Sequence, residues 1–151
     1  MKKFKLTSEF IVDISGVKLF RIKALIEFGN VKAGDLGGYI EKEENLSHMG
    51  DAWVSDDARI SGNARVSGDT QVFGDARVSG DKDYAYAHGF GSCNRTTTFF
   101  RLKDGDVGVR CGCFYGTLAQ FRDKVCETHG ETKKAQEYLM LADLMEIRFK
   151  N

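Results

Sequence analysis

The sequence predicts a mainly β protein with C-terminal helices: a stack of short coiled strands, capped at each end. Three observations carry that prediction. Residues 52 to 82 repeat every six residues, residues 2 to 28 alternate apolar and polar side chains, and the last third carries two apolar stripes at helical spacing. The expected divisions are an N-terminal β cap over 1–28, a repeat over 29–92 and a ββαα module over 93–151.

The N-terminal cap reads as an antiparallel hairpin. Phe4 and Leu6 alternate with lysines, and Phe10-Ile11-Val12 lead into a turn at Asp13 to Gly16. In the run from Val17 to Leu25, Phe20, Ile22 and Ala24 share one face while Arg21 and Lys23 share the other. Such a hairpin covers the open backbone and core at the first coil. Residues 29–51 are punctuated by glycines, and Gly34 to Gly38 read as turns, since no lysine or helix follows to make a phosphate loop. Ile40 and Leu46 are six apart but two residues out of phase with Val54, which predicts an imperfect first coil with a small insertion.

In the hexads an aliphatic residue recurs at Val54, Ile60, Val66, Val72 and Val78. A small residue stands two places before each, at Ala52, Ala58, Ala64, Thr70 and Ala76. Short strands with alternate side chains inward, broken by turns at a fixed interval, cannot bury themselves as flat hairpins. They coil, and stacked coils share one core. Beyond Val78 the register reaches Tyr84 and Phe90, with Lys82 and His88 in the small positions, so the coil is expected to end near residue 92.

Thr97 to Leu102 and Val107 to Cys113 read as a hairpin around Lys103-Asp104-Gly105-Asp106. Thr117 with Gln120 forms a capping-box pattern, Leu118, Phe121 and Val125 make a stripe, and Gly130 stops the helix. A second helix starts near Thr132, with Ala135, Leu139, Ala142, Met145 and Phe149 on one face. This module is expected to plug the far end of the coil.

Composition excludes several function classes. Twenty-two basic residues balance 22 acidic ones, so the electrostatic footprint of a nucleic-acid binder is missing. No apolar run reaches the ~18 residues of a membrane span, and the N-terminus lacks the apolar segment of an export signal. A soluble, cytoplasmic protein with reduced cysteines is expected.

The hexads resemble the left-handed parallel β-helix of the hexapeptide-repeat superfamily, in the spacing from Val54 to Ala58, Ile60 to Ala64, Val66 to Thr70 and Val72 to Ala76. The run Asp35-Leu36-Gly37-Gly38-Tyr39-Ile40, with Asn45-Leu46 and Trp53-Val54, is similar to short proteins of this kind encoded in phages and prophages. The stretch from Thr98 through Arg110-Cys111-Gly112-Cys113 to Phe149 is similar to a small module found in them. The resemblance implies three flat faces per coil, a bacterial cytoplasmic setting and a homo-oligomer, a trimer in many members. It is specific for fold and unspecific for function.

Positions 18 apart then stack at ~4.8 Å on one face. Arg59 lies beneath Arg77, Arg95 follows if the register persists, and Asp57 and Asp75 stand beside them. One reading is a solvated ladder of weak arginine–aspartate pairs, the common fate of exposed charges. The other is an anion-binding face, because guanidinium groups grip phosphate or carboxylate in bidentate fashion. Trp53 and Phe73 occupy outward slots held elsewhere by small or polar residues. They mark either a partner interface or a surface covered by another segment of the same chain.

Catalytic readings are weaker. A hexapeptide acyltransferase needs a histidine base with an orienting partner, and His48, His88 and His129 sit in no recognisable motif. Cys111-x-Cys113 with Cys126-x-x-His129 departs from the paired C-x-x-C spacing of zinc sites, and two cysteines on one strand face are more often small buried core residues. No cofactor or metal is expected. The function expected is a non-catalytic, oligomeric binding protein that inhibits a host anti-phage defence factor. It would do so by sequestering a nucleotide-like signal or by binding a host protein. The alternatives are an acyltransferase-like enzyme and a structural scaffold.

Overall fold

In the computed structural model residues 2–90, 95–111 and 114–150 are described. The chain is mainly β with two C-terminal helices, and it divides into two compact units, Met1–Asp81 and Lys82–Asn151. No helix among the described residues is long and apolar enough to cross a membrane.

The first unit begins with β1 (Phe4–Val12) and β2 (Lys18–Ala24), an antiparallel hairpin as expected. Its turn is held by Asp13, whose Oδ1 accepts the Ser15 and Val17 amides at 2.8 and 2.9 Å. The strand β3 (Leu36–Ile40) pairs antiparallel with β2. The predicted turns at Gly37 and Gly38 are therefore wrong: both glycines are buried in a strand.

Four two-residue strands follow: β4 (Trp53–Val54), β5 (Arg59–Ile60), β6 (Gln71–Val72) and β7 (Arg77–Val78). All pair in parallel. One ladder joins Ile40, Ile60 and Val78, a second joins Val54 and Val72, and an isolated parallel bridge joins Leu46 to Val66. Val54, Ile60, Val66, Val72 and Val78 are at most 1 % exposed, and Ala52, Ala58, Ala64, Thr70 and Ala76 are fully buried. The sheets are not, however, three equal parallel faces. One has the order β1-β2-β3-β5-β7, antiparallel in its first half and parallel in its second, and another consists of β4 and β6 alone. The hairpin is thus a continuation of a sheet.

Partners in β4–β6 and β5–β7 are 18 residues apart, whereas Tyr39–Arg59 and Leu46–Val66 are 20 apart. The two surplus residues lie between Leu46 and Ala52, where the phase slip in the sequence placed them. Polar side chains satisfy the backbone around this irregularity. Lys3, only 1 % exposed, sends Nζ to the Ala52 carbonyl at 2.6 Å. Asn45 is fully buried, accepts the Glu41 and Lys42 amides and donates to the Gly62 and Ala64 carbonyls. Buried polar groups persist only when bonded in this way.

The second unit begins earlier than residue 93. Tyr84–Phe90 (β8) does not continue the coil but pairs antiparallel with β9 (Arg95–Arg101). The alternation Tyr-Ala-Tyr-Ala-His has period two, and it also happened to satisfy the six-residue register. With β10 (Val107–Cys111) and β11 (Phe114–Thr117) these strands form a sheet of order β11-β10-β9-β8. Two helices follow, α1 (Leu118–His129) and α2 (Lys133–Arg148). The capping box forms: Thr117 Oγ1 accepts the Gln120 amide while Gln120 Oε1 accepts the Thr117 amide. The apolar stripes meet the sheet in a core that includes Phe99, Val109, Phe121, Val125, Ala142 and Met145.

Candidate functional site

Strand register brings Arg21, Tyr39, Arg59 and Arg77 into one row across β2, β3, β5 and β7. Each arginine of the parallel strands stands between two buried neighbours, Ala58 and Ile60 or Ala76 and Val78. Alternation along a strand therefore turns Arg59 and Arg77 away from the core.

Arg21 is the anchored member. Its Nε lies 2.8 Å from Glu9 Oε2, and its two Nη atoms donate to the Gly37 carbonyl at 2.7 Å and to Tyr39 Oη at 2.5 Å. Its guanidinium stacks 4.4 Å over the Tyr39 ring. Burial pulls its pKa down, but the hydrogen bonds to Tyr39 and Glu9 outweigh that and raise it above the ordinary value.

Arg59 and Arg77 differ from Arg21. Arg77 Nη1 turns inward to the carbonyls of Asp57 at 3.1 Å and Ala76 at 2.9 Å. Arg59 Nε is buried without a hydrogen-bond partner. Burial first, then the neighbouring Arg59 charge, hold Arg77 below its ordinary pKa, and Asp75 and Asp57 oppose this less strongly. The expected pairing of each arginine with its own aspartate does not form. Among the described residues no carboxylate lies within 4.0 Å of either guanidinium, and Asp57 leans instead toward Arg21 at 3.9 Å.

The other expected residues fare differently. Trp53 is 6 % exposed and packs edge-on against Phe28, with ring centroids 5.3 Å apart. It is covered by a segment of its own chain and is not on display. Phe73 is half-buried just after β6, four residues before Arg77. Arg95 pairs through its backbone with Phe90 in the second unit's sheet, so the ladder does not continue to it, and its side chain lies outside the described residues. Sequence reasoning passed over Arg21 and Tyr39. Outward alternation marked Arg21, but nothing periodic announces an antiparallel register between β2 and β3.

The three histidines lie apart from the arginine row in sequence and make contacts of their own. His48 stacks on Phe4 at 4.2 Å, and its Nδ1 accepts the Lys3 amide at 3.0 Å. Its Nε2 lies 3.4 Å from Glu43 Oε1 and is buried without a hydrogen-bond partner. This imidazole lines an open cleft of about 410 Å³ with Glu43, Glu44, Arg65 and Ser67. His88 Nδ1 bonds Thr96 Oγ1 at 2.7 Å, and the His129 ring sits 5.8 Å from Tyr138. Cys111 Sγ contacts Thr97 Oγ1 at 3.4 Å and Tyr138 Oη at 3.6 Å, while Cys126 is exposed. Cys113 lies outside the described residues.

Residues 58–72 match a family model described as the YdcK beta solenoid repeat. The matched stretch runs from Ala58 through β5 to the end of β6, and over it the chain is similar to a β-solenoid repeat. No curated protein matches the chain.

Proposed function

We propose that this is a non-catalytic binding protein that takes an anionic group on Arg59 and Arg77. The observation that carries the reading is that two half-buried arginines are register partners on paired strands and that, among the described residues, no carboxylate lies within 4.0 Å of either guanidinium. Arginines kept apart from carboxylates retain their capacity for bidentate recognition. We also infer that residues 36–80 form a short left-handed parallel β-helix. The parallel partners 18 residues apart, the buried hexad positions and the match over 58–72 support a parallel coil, and the resemblance to hexapeptide repeats supports its left hand.

The resemblance to phage-encoded hexapeptide-repeat proteins supports the wider setting. On that reading the protein is a cytoplasmic homo-oligomer that blunts a host defence factor by holding an anionic signal or an acidic surface of a host protein. Native mass spectrometry of the protein purified from a bacterial host tests it, because stoichiometry and any retained molecule are read together. The wild type should carry a retained species that an Arg59→Ala/Arg77→Ala variant with an unchanged melting curve lacks. The same species on both proteins would end the arginine-face reading.

A further inference from the structure

We propose that the group bound by Arg59 and Arg77 is a compact tetrahedral dianion, a phosphomonoester or free phosphate. This inference rests on the anion-binding reading above and specifies its ligand. The two residues are register partners on adjacent parallel strands, which places their backbones ~4.8 Å apart. Two cations so placed are matched by a dianion, and a monoanion leaves one charge unanswered. Geometry narrows the class further. A planar carboxylate offers two oxygens in one plane, suited to the fork of a single guanidinium. Forks carried on successive strands lie at different heights and call for oxygens out of one plane, as a tetrahedral group supplies.

The donors are arranged accordingly. Arg77 uses Nη1 on the backbone carbonyls of Asp57 and Ala76, which fixes the guanidinium while leaving Nε and Nη2 for a ligand. Arg59 Nε is buried without a partner, and the ligand meets Arg59 through its Nη groups, which are not buried in this way. The site is also bounded. On one side stands Tyr39, 8 % exposed and covered by Arg21, whose three nitrogens are already bonded. Asp57 and Asp75, both exposed, stand two residues before each arginine and repel an extended polyanion. With Trp53 buried, no exposed indole is available to stack a base.

The test is calorimetric titration of the full chain with inorganic phosphate, glycerol phosphate, sulfate, succinate and a single-stranded oligonucleotide at constant ionic strength. Phosphate, glycerol phosphate and sulfate should bind. Arg59→Ala or Arg77→Ala should weaken each by at least about tenfold, and Arg→Lys at either position should weaken them similarly because lysine lacks the fork. Affinity for glycerol phosphate should rise severalfold from pH 5 to 7, as the second phosphate proton leaves near pKa ~6. Sulfate should stay level over that range. Glycerol phosphate binding tenfold tighter than phosphate would identify an esterified ligand, and equal binding would identify free phosphate. Succinate binding as tightly as phosphate, or the oligonucleotide binding more tightly, would overturn the tetrahedral dianion while leaving anion binding intact. No binding of any anion to protein with a normal melting curve would overturn both.

Discussion

Lys3 carries its ammonium into the protein interior, and its consequences are measurable. Burial lowers its pKa from 10.5 to about 8, against the attraction of Asp51 and Asp69. Below pH 8 the group is charged in both the folded and unfolded chain, so the cost of burying the charge is present in full. Between about 8 and 10.5 the unfolded chain still holds a proton that the folded chain has released, and stability climbs with pH. The difference in unfolding free energy between wild type and Lys3→Met should therefore shift in favour of wild type by up to ~3 kcal/mol between pH 7.5 and 10 in urea titrations. A flat difference would contradict the buried ammonium. The alternation of Phe4 and Leu6 with lysines pointed Lys3 outward, and only the backbone displaced at Gly50 and Ala52 draws it in. Arg59 over Arg77, by contrast, followed from the hexads together with the 18-residue coil that their resemblance implies.

The strand β3 shows why glycine-rich segments mislead. A Cβ on Gly37 would meet the Val54 carbonyl oxygen at 2.5 Å, Ile22 Cγ1 at 2.6 Å and Trp53 Cζ2 at 2.7 Å. One on Gly38 would meet the Ala58 carbonyl oxygen at 2.7 Å and Val54 Cγ1 at 2.8 Å. These glycines admit close backbone approach, a need that looks identical to a turn in a linear sequence. Gly37→Ala should cost about 2–3 kcal/mol by overpacking. Gly80→Ala, with nothing within 4 Å of the new Cβ, should stay within ~0.5 kcal/mol of wild type. Chemical denaturation midpoints check both, and equal losses would contradict the packing described for β3. The helices were read correctly because a capping box and a 3.6-residue stripe are local signals. The strand β8 was misassigned because period two and period six coincide at every third alternate residue.

At the scale of the whole chain, each unit has a core of its own: the hexad aliphatics in the first, and Phe99, Val109, Phe121, Ala142 and Met145 among others in the second. Residues 82–151 expressed alone should therefore fold, with a helical far-ultraviolet spectrum and a cooperative melt. A fragment without a thermal transition would contradict that independence. The repeat was readable because it recurs along the chain. The boundary was not, since Lys82 and Asp83 occupy positions that a hexad and a strand entrance share. One earlier feature reaches further: the two extra residues between Leu46 and Ala52 leave every buried aliphatic in place, so the chain accepts added length between its short strands while the ladders stay in step. Its natural unit of growth is then the 18-residue interval between ladder partners, and duplicating one such interval would add a strand to each parallel ladder and carry one more guanidinium beside Arg77.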